Sequence, residues 1–144
     1  MCFYLGSGMP LTIHCKGCHN PQTWDPDGGK EIPSDILNKI DIALNANGIK
    51  RNLSVLGGEP FAPYNIAFTY TVVSHVKQKY PDRRIYCWTG YTLEQLKERE
   101  PIVKSALDFI DVLIDGPFEE DKRDITLELR GSTNQQIRYR GKDF

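Results

Sequence analysis

Two cysteines of this chain, Cys15 and Cys18, stand three positions apart in a short segment that also contains a glycine. A Cys-x-x-Cys pair directs two sulfur atoms at a common centre, as in metal or cluster sites and in redox pairs. A thioredoxin-like redox pair opens a helix, but here a run rich in Pro and Gly, residues 21–29, follows. A structural zinc site normally has four protein ligands, and few further donors precede or adjoin the pair: Cys2, His14 and His19. A structural zinc site and a thioredoxin-like redox pair are therefore disfavoured.

A second segment that could do chemistry is Gly57-Gly58-Glu59-Pro60. The two glycines permit a tight turn whose backbone polar groups stay open to a ligand. Glu59 adds a carboxylate, which accepts hydrogen bonds from an ammonium group or a hydroxyl. Taken alone, a Gly-Gly turn after a strand is most often only a turn.

The composition limits the class of protein. The chain has 144 residues, enough for one compact domain, and a formal net charge of -1. This balance provides no bulk attraction to nucleic acid or to an anionic membrane, and no apolar stretch is long enough to span a bilayer. Without a signal-peptide pattern, the expected compartment is the cytoplasm. Four cysteines in a reducing compartment predict ligand or catalytic use rather than disulfides.

Hydrophobic periodicity predicts alternating helices and strands. Ser34 is the predicted N-cap of a first helix that ends at Asn47-Gly48, and Thr92 to Gln95 fits a capping box. Further helices are predicted over residues 64–79 and from Pro101 onward. Strands are predicted at residues 52–56, 84–88, 110–114 and 125–129, with Cys2 to Leu5 as a short additional candidate.

Strands that alternate with helices predict an α/β fold with a mostly parallel sheet. In such sheets, ligands bind at the carboxyl ends of the strands. Three segments follow predicted strands and should meet there: residues 57–60, 89–91 and 115–117. The cysteine segment could join them at the same edge.

Taken together, these motifs resemble the radical S-adenosylmethionine superfamily, and within it the activating enzymes of the anaerobic (class III) ribonucleotide reductase. The resemblance covers roughly residues 13–137. The motifs that carry it fall in the family's order: residues 15–20 with Thr23-Trp24, residues 57–60, Trp88 to Tyr91, Val112 to Phe118, and Arg130 to Gln135.

The resemblance implies a single domain over residues 1–144, folded as an incomplete TIM-like barrel that is open on one side, with an atypical segment 1–14 and a polar tail 130–144. It implies a [4Fe-4S] cluster held by three cysteines, with S-adenosylmethionine on the open iron. Reductive cleavage would give a radical that takes a hydrogen atom from a glycine of the reductase large subunit. The implied electron donor is a flavodoxin or ferredoxin. The alternative target is another glycyl-radical enzyme, such as pyruvate formate-lyase.

Carried over residue by residue, the resemblance makes Cys15 and Cys18 cluster ligands. It places Gly17, Cys18 and His19 against the adenosine part of S-adenosylmethionine.

The same resemblance assigns the amino group of S-adenosylmethionine to the turn formed by Gly57, Gly58 and Glu59. For Trp88, packing in the core and direct contact with the ligand both remain open. Residues 130–135 have no obvious structural need for so many polar groups, which suggests a partner- or substrate-facing role.

The chain departs from the family pattern, Cys-x3-Cys-x2-Cys, at the first of the three cysteines, because Leu11 occupies its expected position. Three interpretations are open. Cys2 reaches back as the third ligand, or the cluster is incomplete and the chain is a non-catalytic relative, or residues 1–14 are an altered terminus. Family members usually begin with a longer segment.

Overall fold

The computed structural model describes residues 32–144, together with the backbone of residues 2–3. It contains one open, mixed sheet whose strands follow one another in space in chain order. The first four strands run parallel, and the fifth pairs antiparallel with the fourth. The strands are β1 (Cys2–Phe3), β2 (Leu53–Val55), β3 (Ile85–Trp88), β4 (Val112–Asp115) and β5 (Gln136–Tyr139).

Helices connect the strands and cover one face of the sheet. They are α1 (Ile36–Asn45), α2 (Ile66–Lys79), α3 (Leu93–Lys97) and α4 (Pro101–Leu107), with short 3-10 turns at Ala46–Gly48 and Glu120–Lys122. All four helices contribute buried side chains to a single hydrophobic core. No helix in residues 32–144 is long and apolar enough to cross a membrane.

Strand β3 shows which side chains face the helices. Ile85 and Cys87 are fully buried in the core, whereas Tyr86 and Trp88 are only partly buried. Since successive side chains of a strand point to opposite faces, Tyr86 and Trp88 lie on the face away from the helices. Ser54 pairs with Tyr86 in the sheet and shares that face. The carboxyl ends of the strands therefore border a sheet face that none of the four helices covers.

An ion-pair cluster joins α1 to α2. The Asp41 carboxylate lies 2.9 Å from Nε2 of His75 and 2.6 Å from Nζ of Lys79. Burial raises the pKa of Asp41, but hydrogen bonds from Lys79 and His75 outweigh it and leave that pKa lowered.

Local sequence signals were accurate for most helix ends. The capping box at Thr92 is present, with the Thr92 hydroxyl accepting from the Gln95 amide, and Pro101 occupies the first turn of α4. The first helix differs by one residue, because its N-cap is Asp35 rather than Ser34.

The predicted strand at residues 125–129 is wrong. Asp124 accepts hydrogen bonds from both the amide and the hydroxyl of Thr126, which closes a turn there. Leu129 has a φ of 59°, which is incompatible with extended backbone. The last strand is instead β5, inside the segment expected to be a polar tail.

Candidate functional site

Three chain segments meet at the carboxyl edge of the sheet, as the order of the strands predicts. They are Gly57 to Pro60 after β2, Thr89 to Tyr91 after β3, and Gly116 and Pro117 after β4. Backbone hydrogen bonds connect the last two: the Thr89 amide donates to Ile114 (3.0 Å) and the Gly116 amide donates to Tyr91 (2.9 Å). Gly57 has a φ of 117°, a conformation that favours glycine.

Glu59 is the centre of this edge. Its side chain is buried, yet its carboxylate is well satisfied. Oε1 accepts from the Phe61 amide (3.0 Å) and from the Thr89 hydroxyl (2.7 Å), and Oε2 accepts from the Gly90 amide (2.8 Å). Glu59 thus fastens the turn after β2 to the turn after β3.

The electrostatics of Glu59 follow from this burial. Burial raises the pKa of the Glu59 carboxyl, and the three donors and the nearby Arg99 oppose that rise. Arg99 donates to the Phe61 carbonyl (2.8 Å), and its guanidinium lies 4.9 Å from the centre of the Tyr91 ring. A carboxylate has about four acceptor positions. Donors among residues 32–144 use three of these positions, and one of the three donors bonds to Oε2.

The backbone of the same turn is fixed to the start of α2. The Asn65 side chain donates to the Glu59 carbonyl (2.9 Å), and the Thr69 hydroxyl donates to the Pro60 carbonyl (2.8 Å). The turn is therefore held in place by both neighbouring elements.

At the end of β4, buried Asp115 accepts from the Leu93 amide (2.8 Å) and from Nε of Arg138 (3.3 Å). Beside it lies a cavity of about 230 Å³, whose charged lining residues are Glu94, Asp115, Glu119 and Arg138.

Residues 130–135 have a structural role that the sequence did not suggest. Oε1 of Gln135 accepts from the amides of Gly131 and Ser132, and its Nε2 donates to the Gly116 carbonyl. The Asn134 side chain donates to the Pro117 carbonyl (2.7 Å). These polar groups fasten the segment to the loop after β4, so the expectation that it has no structural need for them is wrong. A partner-facing role for the segment remains a prediction.

Trp88 belongs neither wholly to the core nor to the open solvent. It is partly buried, its indole N–H donates to the Leu129 carbonyl (2.7 Å), and the centre of its ring lies 6.4 Å from that of Tyr86.

Cys87 is fully buried, and burial raises the pKa of its thiol far above the usual range. It is a core residue.

Several predicted site residues lie outside the described part of the chain: Cys15, Gly17, Cys18 and His19. For Cys2 only the backbone is described, and it pairs with Ser54 of β2. Within residues 32–144, no group of three or more His, Cys, Asp or Glu side chains is arranged to hold a metal ion. The described residues thus give one side of the predicted site, the turn Gly57 to Glu59.

Sequence reasoning identified that turn but missed the residues that hold it. Thr89 belongs to a recognised motif, yet no pattern shows that its hydroxyl bonds to Glu59. Arg99 carries no local signal at all, since it reaches the site from beyond the end of α3.

Comparison with known proteins defines the class of protein. A family model described as a 4Fe-4S single cluster domain matches residues 4–138. Relatives named anaerobic ribonucleoside-triphosphate reductase-activating protein are similar over most of their length. The protein from Vibrio cholerae is 41% identical, with 85% of this chain and 78% of the relative covered. The one from Escherichia coli K12 is 35% identical, with 87% and 80% covered.

A viral relative with the same name, from Enterobacteria phage T4, is 33% identical, with 85% of this chain and 74% of the relative covered. No solved structure matches the chain significantly. The chain belongs to the family of anaerobic ribonucleoside-triphosphate reductase-activating proteins.

Proposed function

We propose that this protein uses a [4Fe-4S] cluster to cleave S-adenosylmethionine reductively and generates a glycyl radical on the anaerobic ribonucleotide reductase. Family membership supports this function, since the relatives are named for activating that reductase. The structural observation that carries it is the turn Gly57 to Glu59, which lies at the carboxyl edge of the sheet and is held from two sides.

The turn suits the amino group of S-adenosylmethionine. Gly57 and Gly58 bring backbone polar groups to the edge without side chains in the way, and within residues 32–144 Oε2 of Glu59 accepts from the Gly90 amide alone, which leaves it a further acceptor position. The negative charge of Glu59 favours an ammonium group. Gly17, Cys18 and His19 are the residues proposed for the adenosine part.

The donor set fits an iron–sulfur cluster, because Cys15 and Cys18 supply two thiolates at close spacing. The pairing of β1 with β2 brings the backbone of Cys2 to the same sheet, which supports Cys2 as the third ligand. When bound, the cluster and S-adenosylmethionine supply the one-electron cleavage of the sulfonium that precedes removal of hydrogen from a glycine. The protein's own residues hold and orient these groups at the strand ends.

The sheet supports access by a large partner. None of the described helices covers the face that carries Tyr86 and Trp88, although Val112 and Ile114 of β4 are buried on that face, and β1 to β4 lie in sequential order. The sequential order supports the proposal of an incomplete TIM-like barrel, whose open side a glycine-bearing loop of the reductase would enter. A flavodoxin or ferredoxin is the proposed electron donor, and the cytoplasm the proposed compartment.

A second candidate function rests on Leu11, which stands at the expected place of the first cluster cysteine. If the cluster is incomplete, the chain is a non-catalytic relative that binds the reductase or S-adenosylmethionine. An activase of another glycyl-radical enzyme is not favoured by any relative named here.

Anaerobic reconstitution with iron and sulfide tests the proposal and separates it from this second candidate. We expect about four irons per chain and an EPR spectrum of the reduced protein that S-adenosylmethionine perturbs. Failure to retain iron, with the V. cholerae relative reconstituted in parallel as a control, would favour the non-catalytic relative.

A further inference from the structure

Thr89, in the turn after β3, contacts Glu59 in the turn after β2. Its side chain is buried, its hydroxyl donates to Oε1 of Glu59 (2.7 Å), and its oxygen accepts from the Tyr91 amide (3.1 Å). The Tyr91 contact fixes the direction of the hydroxyl, because an oxygen that accepts from one side directs its proton to the other. The proton is thereby aimed at Glu59.

The neighbouring Gly90 amide donates to Oε2 of Glu59 (2.8 Å). The turn after β3 therefore supplies two of the three donors to the carboxylate, one to each oxygen. Together they set the rotation of the carboxylate plane. Only the Phe61 amide comes from the turn that contains Glu59 itself.

We infer that Thr89 is a positioning residue that orients the Glu59 carboxylate so that Oε2 is presented to the amino group of S-adenosylmethionine. This inference rests on the proposed function. Thr89 follows β3, whereas the Gly-Gly turn follows β2, so the orientation of Glu59 depends on a residue outside its own turn.

The positioning role of Thr89 can be measured through the pKa of the Glu59 carboxyl. Among residues 32–144, the Arg99 charge lowers the pKa of Glu59, and the titratable groups Tyr64 and Cys87 also interact with Glu59. The Thr89 hydroxyl bonds preferentially to the ionised carboxylate, so its removal should raise the pKa of Glu59 further. Binding of an ammonium group needs the ionised carboxylate. When the pH is lowered, binding to the variant should therefore begin to weaken at a higher pH than binding to the wild type.

The test compares Thr89→Val with Thr89→Ser in the full chain, reconstituted anaerobically. Val keeps the shape and removes the hydroxyl, whereas Ser keeps the hydroxyl. We expect Thr89→Val to bind S-adenosylmethionine about tenfold more weakly at neutral pH. The fall in affinity on acidification should begin at a higher pH than in the wild type, and Thr89→Ser should restore both properties. The matched control is Thr71→Val, on the exposed side of α2, whose hydroxyl bonds only within its own helix.

A second measurement does not depend on the cluster. In the full chain without iron, carbon-13 NMR of the Glu59 carboxyl should show a higher pKa in Thr89→Val and the wild-type pKa in Thr89→Ser. Thr89→Ala serves as the second hydroxyl-free variant if Thr89→Val does not fold. A purely packing role would change stability without moving this pKa.

The outcomes separate the two claims. If the wild-type protein does not bind S-adenosylmethionine, the proposed function is wrong and the inference falls with it. If the wild type binds it and the hydroxyl-free variant binds equally well with the same pH profile, only the inference is overturned.

Discussion

Removal of the Glu59 carboxylate should have a large effect on stability as well as on binding. Glu59→Ala leaves three donors without their acceptor: the Phe61 amide, the Thr89 hydroxyl and the Gly90 amide. Phe61 and Thr89 are buried, so water cannot readily replace the lost bonds. The variant also loses the connection between the turn after β2 and the turn after β3.

The magnitude follows from these contacts. Each unsatisfied buried donor costs about 1–3 kcal/mol, so the buried Phe61 amide and Thr89 hydroxyl together cost at least about 2 kcal/mol in the free energy of unfolding, and the partly buried Gly90 amide adds a smaller amount. The loss of side-chain volume in a buried position adds to this. A loss of roughly 3–5 kcal/mol is a large part of the stability of an ordinary domain, about 5–15 kcal/mol.

Urea denaturation of the iron-free chain, followed by circular dichroism under reducing conditions, measures this loss. Glu128→Ala is the matched control, because Glu128 is exposed and should change the free energy of unfolding by no more than about 0.5 kcal/mol. A loss below about 1 kcal/mol in Glu59→Ala would refute the reasoning, since one unsatisfied donor alone should cost that much. Where the variant stays folded, it should also bind S-adenosylmethionine more weakly than the wild type.

Three further predictions concern other parts of the chain. Cys18→Ala should abolish iron retention after reconstitution, whereas Cys87→Ala should retain it; full iron in the first variant would exclude Cys18 as a ligand. Asp41→Asn should lower stability at neutral pH by about 0.5–1 kcal/mol. Because the Asp41 pKa is lowered in the folded state, the difference from the wild type should disappear as the pH falls below about 4, and a constant difference in denaturation midpoint would contradict this. Gln135→Ala should lower the free energy of unfolding, measured by urea denaturation, by about 1–3 kcal/mol, and Gln136→Ala, at an exposed position, should lower it much less. Equal effects of the two substitutions would contradict a structural role for residues 130–135.

Much of the fold was predictable because its signals are local. The capping box at Thr92, Pro101 in a first turn and Asn47-Gly48 at a helix end each specify backbone geometry from neighbouring residues alone. Strand β5 was missed because it is an edge strand with partly exposed side chains and alternates too few apolar residues to stand out. A strand was wrongly predicted at residues 125–129 because Ile125 and Leu127 are apolar and alternate with polar residues. The turn that Asp124 closes with Thr126 precludes a strand there.

The candidate site was predictable in part for the same reason. The turn Gly57 to Glu59 is recognisable from its own residues, and the order of the strands places it at the carboxyl edge. What Glu59 contacts depends on residues about thirty positions further along the chain, such as Thr89 and Gly90, and no spacing rule specifies such pairs. The bonds made by Gln135 are equally non-local, since Gly116 precedes it by 19 positions.

EPR detection of a glycyl radical on the anaerobic ribonucleotide reductase would show directly whether this protein is its activating enzyme. The reconstituted protein is incubated anaerobically with the reductase large subunit, a reductant and S-adenosylmethionine, and the V. cholerae relative serves as the positive control. We expect a glycyl-radical signal that requires S-adenosylmethionine and is absent with Cys18→Ala. A protein that carries its cluster and yields no signal, beside a relative that does, would contradict this expectation.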